Sequence, residues 1–157
     1  MSLDAPKTNA VSGASFSVGI VAARFNQELV DALLARVLAG LRAAGVQERK
    51  IEVVRVPGSH EVPWAAHALV KRRGRDVVIG LGVLIAGDTN HHEMVGDSVS
   101  HALQHVAIST GVPVINGVIV TNSRAQAVAR TAGKIDRGAE FAAAALEMAA
   151  LRRKVSR

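Results

Sequence analysis

The chain of 157 residues contains no cysteine and no tyrosine, and aromatic residues make up only 3% of it. The absence of cysteine excludes disulfide bonds and agrees with a reducing compartment, so we expect a cytoplasmic protein. At the N-terminus no basic stretch precedes an apolar core, which predicts no signal peptide. The longest uncharged run, which ends at Gly87, is shorter than the roughly 18 apolar residues of a membrane-spanning helix. We therefore expect no membrane partner.

The formal net charge is +6, which would suit a nucleic-acid partner if the basic residues formed one surface. They are instead scattered along the chain. Two clusters, 71–75 and 152–154, each lie at a predicted helix C-terminus, where cations complement the helix dipole. With three phenylalanines and one tryptophan, the chain also lacks the aromatic platforms on which single-stranded bases stack. We therefore expect no nucleic-acid partner.

Apolar residues are abundant: 49% of the chain is hydrophobic, a high share for one small domain. We expect other copies of the chain to cover part of this apolar surface, in a homo-oligomer. The length predicts a single domain over residues 16–157, with a core that needs neither disulfides nor metals. Residues 1–15 are polar and small, and they predict a flexible arm that a neighbouring copy could order.

Apolar periodicity predicts strands that alternate with helices. Asn26 is a good N-cap for the first helix, and Pro63 fits the first turn of the second. The alternation predicts a three-layer α/β/α sandwich around a four-stranded parallel sheet, in which ligands bind beyond the C-terminal ends of the strands. The predicted strands are 17–23, 51–56, 77–82 and 114–120, and the predicted helices are 26–45, 63–72, 95–106, 123–132 and 137–151.

The segment 87–95, GDTNHHEMV, follows the third predicted strand and leads into a helix. Free backbone N–H groups at a helix start, with the Thr89 hydroxyl, would bind phosphate oxygens, and a histidine there titrates near neutrality. The pattern predicts an anion site beside an acid/base. The alternative is that Asp88 or Thr89 only caps the helix. His91 and His92 point about 100° apart on a helix, so only one is expected to face the ligand.

Several other side chains at predicted strand ends allow two interpretations each. Phe25 could pack against Val30 as a hydrophobic staple, or it could offer a ring face to a planar ligand. Glu61 could cap the following helix or accept hydrogen bonds from ligand hydroxyl or amide groups. Arg130 and Arg137 could be surface charges or bidentate phosphate partners. Taken singly, none of these patterns decides between its two interpretations.

Resident metals and cofactors have little support in the sequence. His101 and His105 are four residues apart, a spacing that can hold zinc on a helix. No third ligand is evident and no His-Glu-x-x-His pattern occurs, so an ordinary polar helix face is expected. The glycines at 80, 82 and 87 do not fit the G-x-G-x-x-G spacing of a dinucleotide site. We therefore expect neither a metal nor a cofactor.

Four linked motifs occur in order along the chain. They are Arg24-Phe25-Asn26, the segment 56–63 (VPGSHEVP), the segment 80–91 (GLGVLIAGDTNH) and the segment 113–118 (PVINGV). In this order and spacing they resemble the 6,7-dimethyl-8-ribityllumazine synthase family. The likeness covers about residues 17–151, and Gln126-Ala127 followed by Arg130 continues it. It implies a flavodoxin-like fold and allows an extra N-terminal strand to join the sheet of a neighbouring copy.

The resemblance implies a transferase of riboflavin biosynthesis. Members of this family perform the penultimate step, in which 5-amino-6-(D-ribitylamino)uracil condenses with 3,4-dihydroxy-2-butanone 4-phosphate, and phosphate and water leave. An amine attacks a ketone, phosphate is eliminated, and a second amine closes the ring. Such steps need proximity and proton transfer more than a metal or a covalent nucleophile.

The same resemblance implies roles for individual residues. His91 would be the general acid/base, and Arg130 would act with it at the phosphate. Phe25 would stack on the pyrimidine, and the ribityl chain would be held by Ser59 and Glu61. The expected phosphate-binding residues are Asp88, Thr89 and Arg130. The expected substrate-binding residues are Phe25, Ser59, His60, Glu61, Val83, Leu84, Ile85, Asn116 and Arg137, the last two from an adjacent subunit.

Several positions depart from the commonest pattern of the family. His60 stands where many members have an aromatic residue, and Asn116 stands where many have phenylalanine. Ala86 replaces a frequent basic residue. Arg137 replaces a frequent lysine, which keeps the charge but changes the donor geometry. His60 and Asn116 motivate the alternative to catalysis, a non-catalytic paralogue that binds a flavin or a lumazine.

The acid/base, ribityl and phosphate positions, His91, Glu61 and Arg130, all remain, so we expect an active enzyme. Family members assemble as pentamers or as icosahedral shells made of pentamers. The segment 131–136, TAGKID, does not match the Gly-x-Lys-Ala-Gly-Asn sequence frequent in shell-forming members. That difference favours a free pentamer.

Overall fold

A parallel sheet of four strands forms the centre of the computed structural model, which describes residues 10–72 and 74–156. Its strands lie in the order β2-β1-β3-β4, so the chain winds first to one side of β1 and then to the other. Such a reversal opens a crevice at the carboxyl ends of the two central strands, β1 and β3. The strands are β1 (Val18–Ala23), β2 (Ile51–Val56), β3 (Val77–Ile85) and β4 (Val114–Thr121).

Helices cover both faces of the sheet, which confirms the predicted three-layer α/β/α sandwich. Helices α1, α4 and α5 lie on one face, and α2 and α3 on the other, each group over its own apolar core. Neighbouring residues of β3 serve opposite cores, because Ile79 faces the first group and Val78 the second. The helices are α1 (Gln27–Ala43), α2 (Val62–Val70), α3 (His91–Thr110), α4 (Arg124–Thr131) and α5 (Arg137–Val155).

Three elements extend well beyond their predicted boundaries. Helix α3 spans His91–Thr110 rather than 95–106, α5 ends at Val155 rather than Leu151, and β3 continues to Ile85 rather than ending at Gly82. β3 is longer because β4 pairs with it along its whole second half, to the pair Ile85 and Thr121. Pairing with β1 stops earlier, at Ala22 and Leu81. The last four residues of β3 are therefore not paired with β1. Two short 3₁₀ turns, Glu48–Lys50 and Ser59–Glu61, were not predicted.

The amino ends of the central strands are fastened to α5 by charged groups. Asp76 accepts hydrogen bonds from the Ser17 backbone N–H at 2.8 Å and from Arg153 Nε and Nη2, each at 2.9 Å. The Arg153 guanidinium also lies over the Phe16 ring, 4.3 Å from its centroid. Arg152 donates to the Arg75 carbonyl at 2.8 Å. The basic cluster at 152–154 thus serves packing at this end of the sheet.

A second ion pair joins the same end of the sheet to its edge strand. Arg75 donates to the Glu52 carboxylate and, at 2.9 Å, to Ser17 Oγ, while Arg72 also pairs with Glu52. Burial lowers the pKa of the Arg75 guanidinium, whose side chain is only 13% exposed. An arginine pKa is ordinarily so high that the group stays charged near neutrality.

Of the arm expected over residues 1–15, residues 1–9 lie outside the described part, as does any strand that they would add to a neighbouring sheet. The described part lies against α1 and α5. The Gly13 N–H donates to the Ala44 carbonyl at 2.7 Å, and Ala10 and Val11 line a cleft between the two helices. Within the described ranges, no helix combines the length and apolar character that crossing a membrane requires.

The substitution Asp76→Asn is expected to lower the free energy of unfolding by about 1–3 kcal/mol. It replaces one carboxylate oxygen, which accepts hydrogen bonds, with an amide nitrogen that would face an N–H donor. Glu28→Gln is the control, since Glu28 pairs with Arg124 at 3.1 Å but its side chain is 87% exposed. Urea unfolding at one fixed protein concentration measures both, because oligomer stability depends on concentration. Equal effects of the two substitutions would contradict the structural role of Asp76.

Candidate active site

A groove of about 240 Å³ lies at the carboxyl ends of β1 and β3, where the sheet changes direction. Five of the residues predicted to bind or transform substrate line it, together with three that were given no such role. This placement agrees with the rule that ligands of open α/β sheets bind at the switch point. The lining residues are Phe25, Asn26, Leu84, Ile85, Gly87, Thr89, His91 and His92.

The wall of the groove is the part of β3 that extends beyond β1. Backbone groups alternate sides along a strand, and the Leu84 carbonyl points toward β4, where it accepts from Thr121 Oγ1 at 3.3 Å. The N–H and C=O groups of Val83 and Ile85 therefore point to the other side, where β1 has already ended. Of these groups, those of Ile85, which lines the groove, are available to a planar ligand.

Asn26 stands at the predicted start of α1, but its side chain does not cap that helix. Its backbone is left-handed, with φ 55°, and its Nδ2 crosses to the Val83 carbonyl at 2.9 Å. The N-cap role predicted for this side chain is thus wrong, because a capping residue has an extended backbone from which its side-chain oxygen reaches the first N–H groups, whereas the backbone of Asn26 is left-handed. Asn26 thus links the loop after β1 to β3. Of the two β3 carbonyls on this side, those of Val83 and Ile85, it donates a hydrogen bond to the first.

Phe25 precedes Asn26, and its ring is 74% exposed at the mouth of the groove. A hydrophobic staple would cover the ring, so the exposure favours the alternative interpretation, in which the ring face receives a planar ligand. The Phe25 N–H donates to the Pro57 carbonyl at 3.1 Å. This bond ties the loop after β1 to the turn after β2.

That turn carries Ser59, His60 and Glu61, which lie beside the groove and not on its wall. Glu61 Oε2 accepts from the Gly58 N–H at 2.8 Å, while the side chain as a whole stays 47% exposed. Ser59 is 4% exposed, and its Oγ has no hydrogen-bond partner among the described residues. A Cβ at Gly82 would lie 2.3 Å from that Oγ, so only glycine fits there.

The loop from Gly87 to Asn90 is exposed and leads into α3, which begins at His91. The N-cap residue is Asn90, and no side chain caps the helix. Capping by Asp88 or Thr89, the alternative to an anion site, is therefore wrong. The first N–H groups of α3 and the positive end of its dipole remain for an anion. Thr89 lines the groove, and Asp88 does not.

Both histidines at the start of α3 line the groove, although only one was expected to face it. His91 is exposed, whereas His92 is half-buried and its Nδ1 is fully buried. Sequence reasoning gave His92 no role, although its spacing of three and seven residues before Val95 and Val99 places it on the buried stripe of α3.

Three predicted site residues lie away from this groove. Asn116 lines a larger groove of about 590 Å³ between α3 and β4. Arg130 donates to the Gln126 carbonyl of its own helix at 3.0 Å. Arg137 pairs with Glu140, one turn along α5. A single chain does not bring these three side chains to His91.

His101 lies on the exposed face of α3, where its Nδ1 is 3.0 Å from the Asp97 carbonyl. In the part of the chain that the structure describes, no three histidine, cysteine or carboxylate side chains are grouped to hold a metal ion. The groove itself combines open backbone groups of β3, an exposed ring, an uncapped helix start and two histidines.

The sequence model of the family described as 6,7-dimethyl-8-ribityllumazine synthase matches residues 15–153. A protein of that name from Kineococcus radiotolerans is 43% identical over 150 residues, which cover 94% of this chain and 91% of the relative. Another from Thermococcus gammatolerans is 40% identical over 143 residues, which cover 91% and 92%. One from Pyrococcus furiosus is 38% identical over 143 residues, which cover 91% and 89%. The chain belongs to the 6,7-dimethyl-8-ribityllumazine synthase family.

Proposed function

We propose that the groove between β1 and β3 is the site at which this chain, a lumazine synthase of riboflavin biosynthesis, works in the cytoplasm without a cofactor. There it condenses 5-amino-6-(D-ribitylamino)uracil with 3,4-dihydroxy-2-butanone 4-phosphate and releases phosphate and water. The observation that carries this proposal is that one groove joins an exposed ring, Phe25, an uncapped helix start with Thr89, and His91.

The pyrimidine binds between the Phe25 ring and the overhanging end of β3. A pyrimidine lactam presents an N–H beside a C=O, and Ile85 presents its own N–H and C=O on the open side of the strand. Asn26 already occupies the Val83 carbonyl, so the pair at Ile85 remains for the heterocycle. Stacking on Phe25 adds apolar contact to these directional bonds.

The ribityl chain extends toward the turn after β2. Its hydroxyl groups are donors, and Glu61 has one carboxylate oxygen fixed by Gly58 and the other available to them. The Ser59 hydroxyl lies behind this carboxylate and lacks a partner among the described residues. His60, at 66% exposure, borders the same end of the site.

The phosphate binds at the start of α3, where Thr89 supplies a hydroxyl and the loop residues supply backbone N–H groups. His91 is the first residue of that helix, so it lies beside both the departing phosphate and the reacting carbonyl carbon. In this position it shuttles protons as the amine attacks, water leaves and phosphate is eliminated.

A second copy completes the site by bringing Arg130, with Asn116 and Arg137, to the groove. The support is that these side chains lie on other faces of the chain, and that large apolar side chains are exposed around α2, α3 and β4. Exposed apolar surface of this extent favours self-association. A cyclic pentamer places the same two faces together at every interface. The exposed residues on these elements include Trp64, Met94, Ile108 and Val120.

His91→Ala is expected to slow lumazine formation by about 10²–10⁴-fold without abolishing it, because a placed acid/base contributes that much. His105→Ala, an exposed histidine on the same helix, is the control and should keep the wild-type rate. Optical assay of the two substrates with the purified protein measures both. If the wild-type protein binds a flavin or a lumazine but does not accelerate lumazine formation, the chain is the non-catalytic paralogue.

Arg130→Ala is expected to raise KM for the butanone phosphate by about 10–100-fold, the loss of one charge-assisted hydrogen bond to phosphate. KM for the pyrimidine should change little. Arg124→Ala is the control, because Arg124 lies on the same helix and pairs with Glu28 on the surface. An unchanged KM for the phosphate substrate in Arg130→Ala would remove this residue from the anion site.

Mixed oligomers test whether the site is shared. If His91 and Arg130 of one site come from different copies, unfolding and refolding the His91→Ala and Arg130→Ala chains together restores intact sites. Random assembly at equal amounts makes roughly a quarter of the interfaces intact in a cyclic ring. The recovered activity is measured at a concentration of the butanone phosphate well below its KM for the Arg130→Ala variant. Activity no higher than the mean of the two variants would place both residues in one chain.

A further inference from the structure

His92 lies on the inner side of the groove, one residue beyond the proposed acid/base. It shares a face of α3 with Val95 and Val99, which are 7% and 0% exposed. Its ring is therefore turned toward the core, while it also lines the groove with Leu84 and Ile85. His92 is thus on the side of the groove where the β3 backbone ends.

The Nδ1 atom of His92 is buried and has no hydrogen-bond partner among the described residues. A buried polar atom without a partner costs free energy, and an apolar side chain of similar size would fill the same volume without that cost. The χ2 torsion of histidine is broad and nearly two-fold, so a half-turn exchanges Nδ1 with Cδ2 in the same volume. That half-turn brings Nδ1 from the core side to the groove.

We propose that His92 is a second substrate-binding histidine, whose Nδ1 turns to the groove and hydrogen-bonds a polar atom of the bound heterocycle. This inference rests on the proposed function. The heterocycle is assigned, not the phosphate, because His92 is half-buried and lines the groove with Leu84 and Ile85 of β3, whereas His91 and the loop before it are exposed. A neutral imidazole nitrogen can donate or accept, so the ring matches either kind of ring atom.

Three substitutions separate the two ring nitrogens. His92→Asn keeps a polar atom at the position of Nδ1, His92→Gln keeps one near the position of Nε2, and His92→Phe keeps the ring volume without either. Titration with 6,7-dimethyl-8-ribityllumazine should give a Kd about tenfold higher for the phenylalanine and glutamine variants, the typical value of one hydrogen bond. The asparagine variant should stay near the wild type, and Kd for inorganic phosphate should change in none.

Equal lumazine Kd values for the wild type and His92→Phe would overturn the proposal. A substitution at His92 that raises only the Kd for inorganic phosphate would overturn it as well. Circular dichroism and melting temperature check the fold. Where the phenylalanine variant fails to fold, the asparagine and glutamine variants decide, and equal losses in both would count against Nδ1. A wild type that binds lumazine without accelerating its formation defeats the proposed function alone, since the titration still tests His92. A wild type that binds no lumazine defeats both.

Discussion

The candidate site depends on a difference in length between two neighbouring strands, because β3 is longer than β1. β3 is paired with β4 as far as Ile85, whereas its pairing with β1 ends at Leu81. A strand that is held on one side and open on the other keeps its extended shape while it leaves backbone donors and acceptors unpaired. The groove, the hydrogen bond from Asn26 to Val83 and the proposed binding of a planar ligand all depend on this open edge.

Two kinds of group meet at the edge, and they differ in how firmly the fold holds them. Backbone groups of β3 and the first turn of α3 are fixed by the sheet and the helix, so they cost little to order when a ligand binds. Phe25 and His91 are exposed side chains, to which the proposed function assigns stacking contact and proton transfer. A rigid backbone frame with a few adjustable side chains suits a reaction that depends on the approach of two substrates.

Local sequence patterns were sufficient to predict most of the architecture, because the spacing of apolar residues and the presence of turn residues each depend on only a few neighbouring positions. The end of β3 was misjudged, since it depends on pairing with β4, which no local pattern reveals. Asn26 has the local features of an N-cap, yet its side chain binds a carbonyl 57 residues away. Asn116 and Arg130 could be connected to the site only through the family resemblance, because the described chain holds them on other faces.

The ion pair and hydrogen bonds of Asp76, at the amino ends of the strands, lie at the opposite end of the sheet from the groove. Asp76, Ser17 and Arg153 hold β1, β3 and α5 together there, without any residue of the groove. Fold and chemistry thus occupy separate ends of the same strands. Variation in the loops can therefore change which ligand is preferred while the framework persists, which gives a lineage of such proteins room to diverge in specificity without first losing the ability to fold.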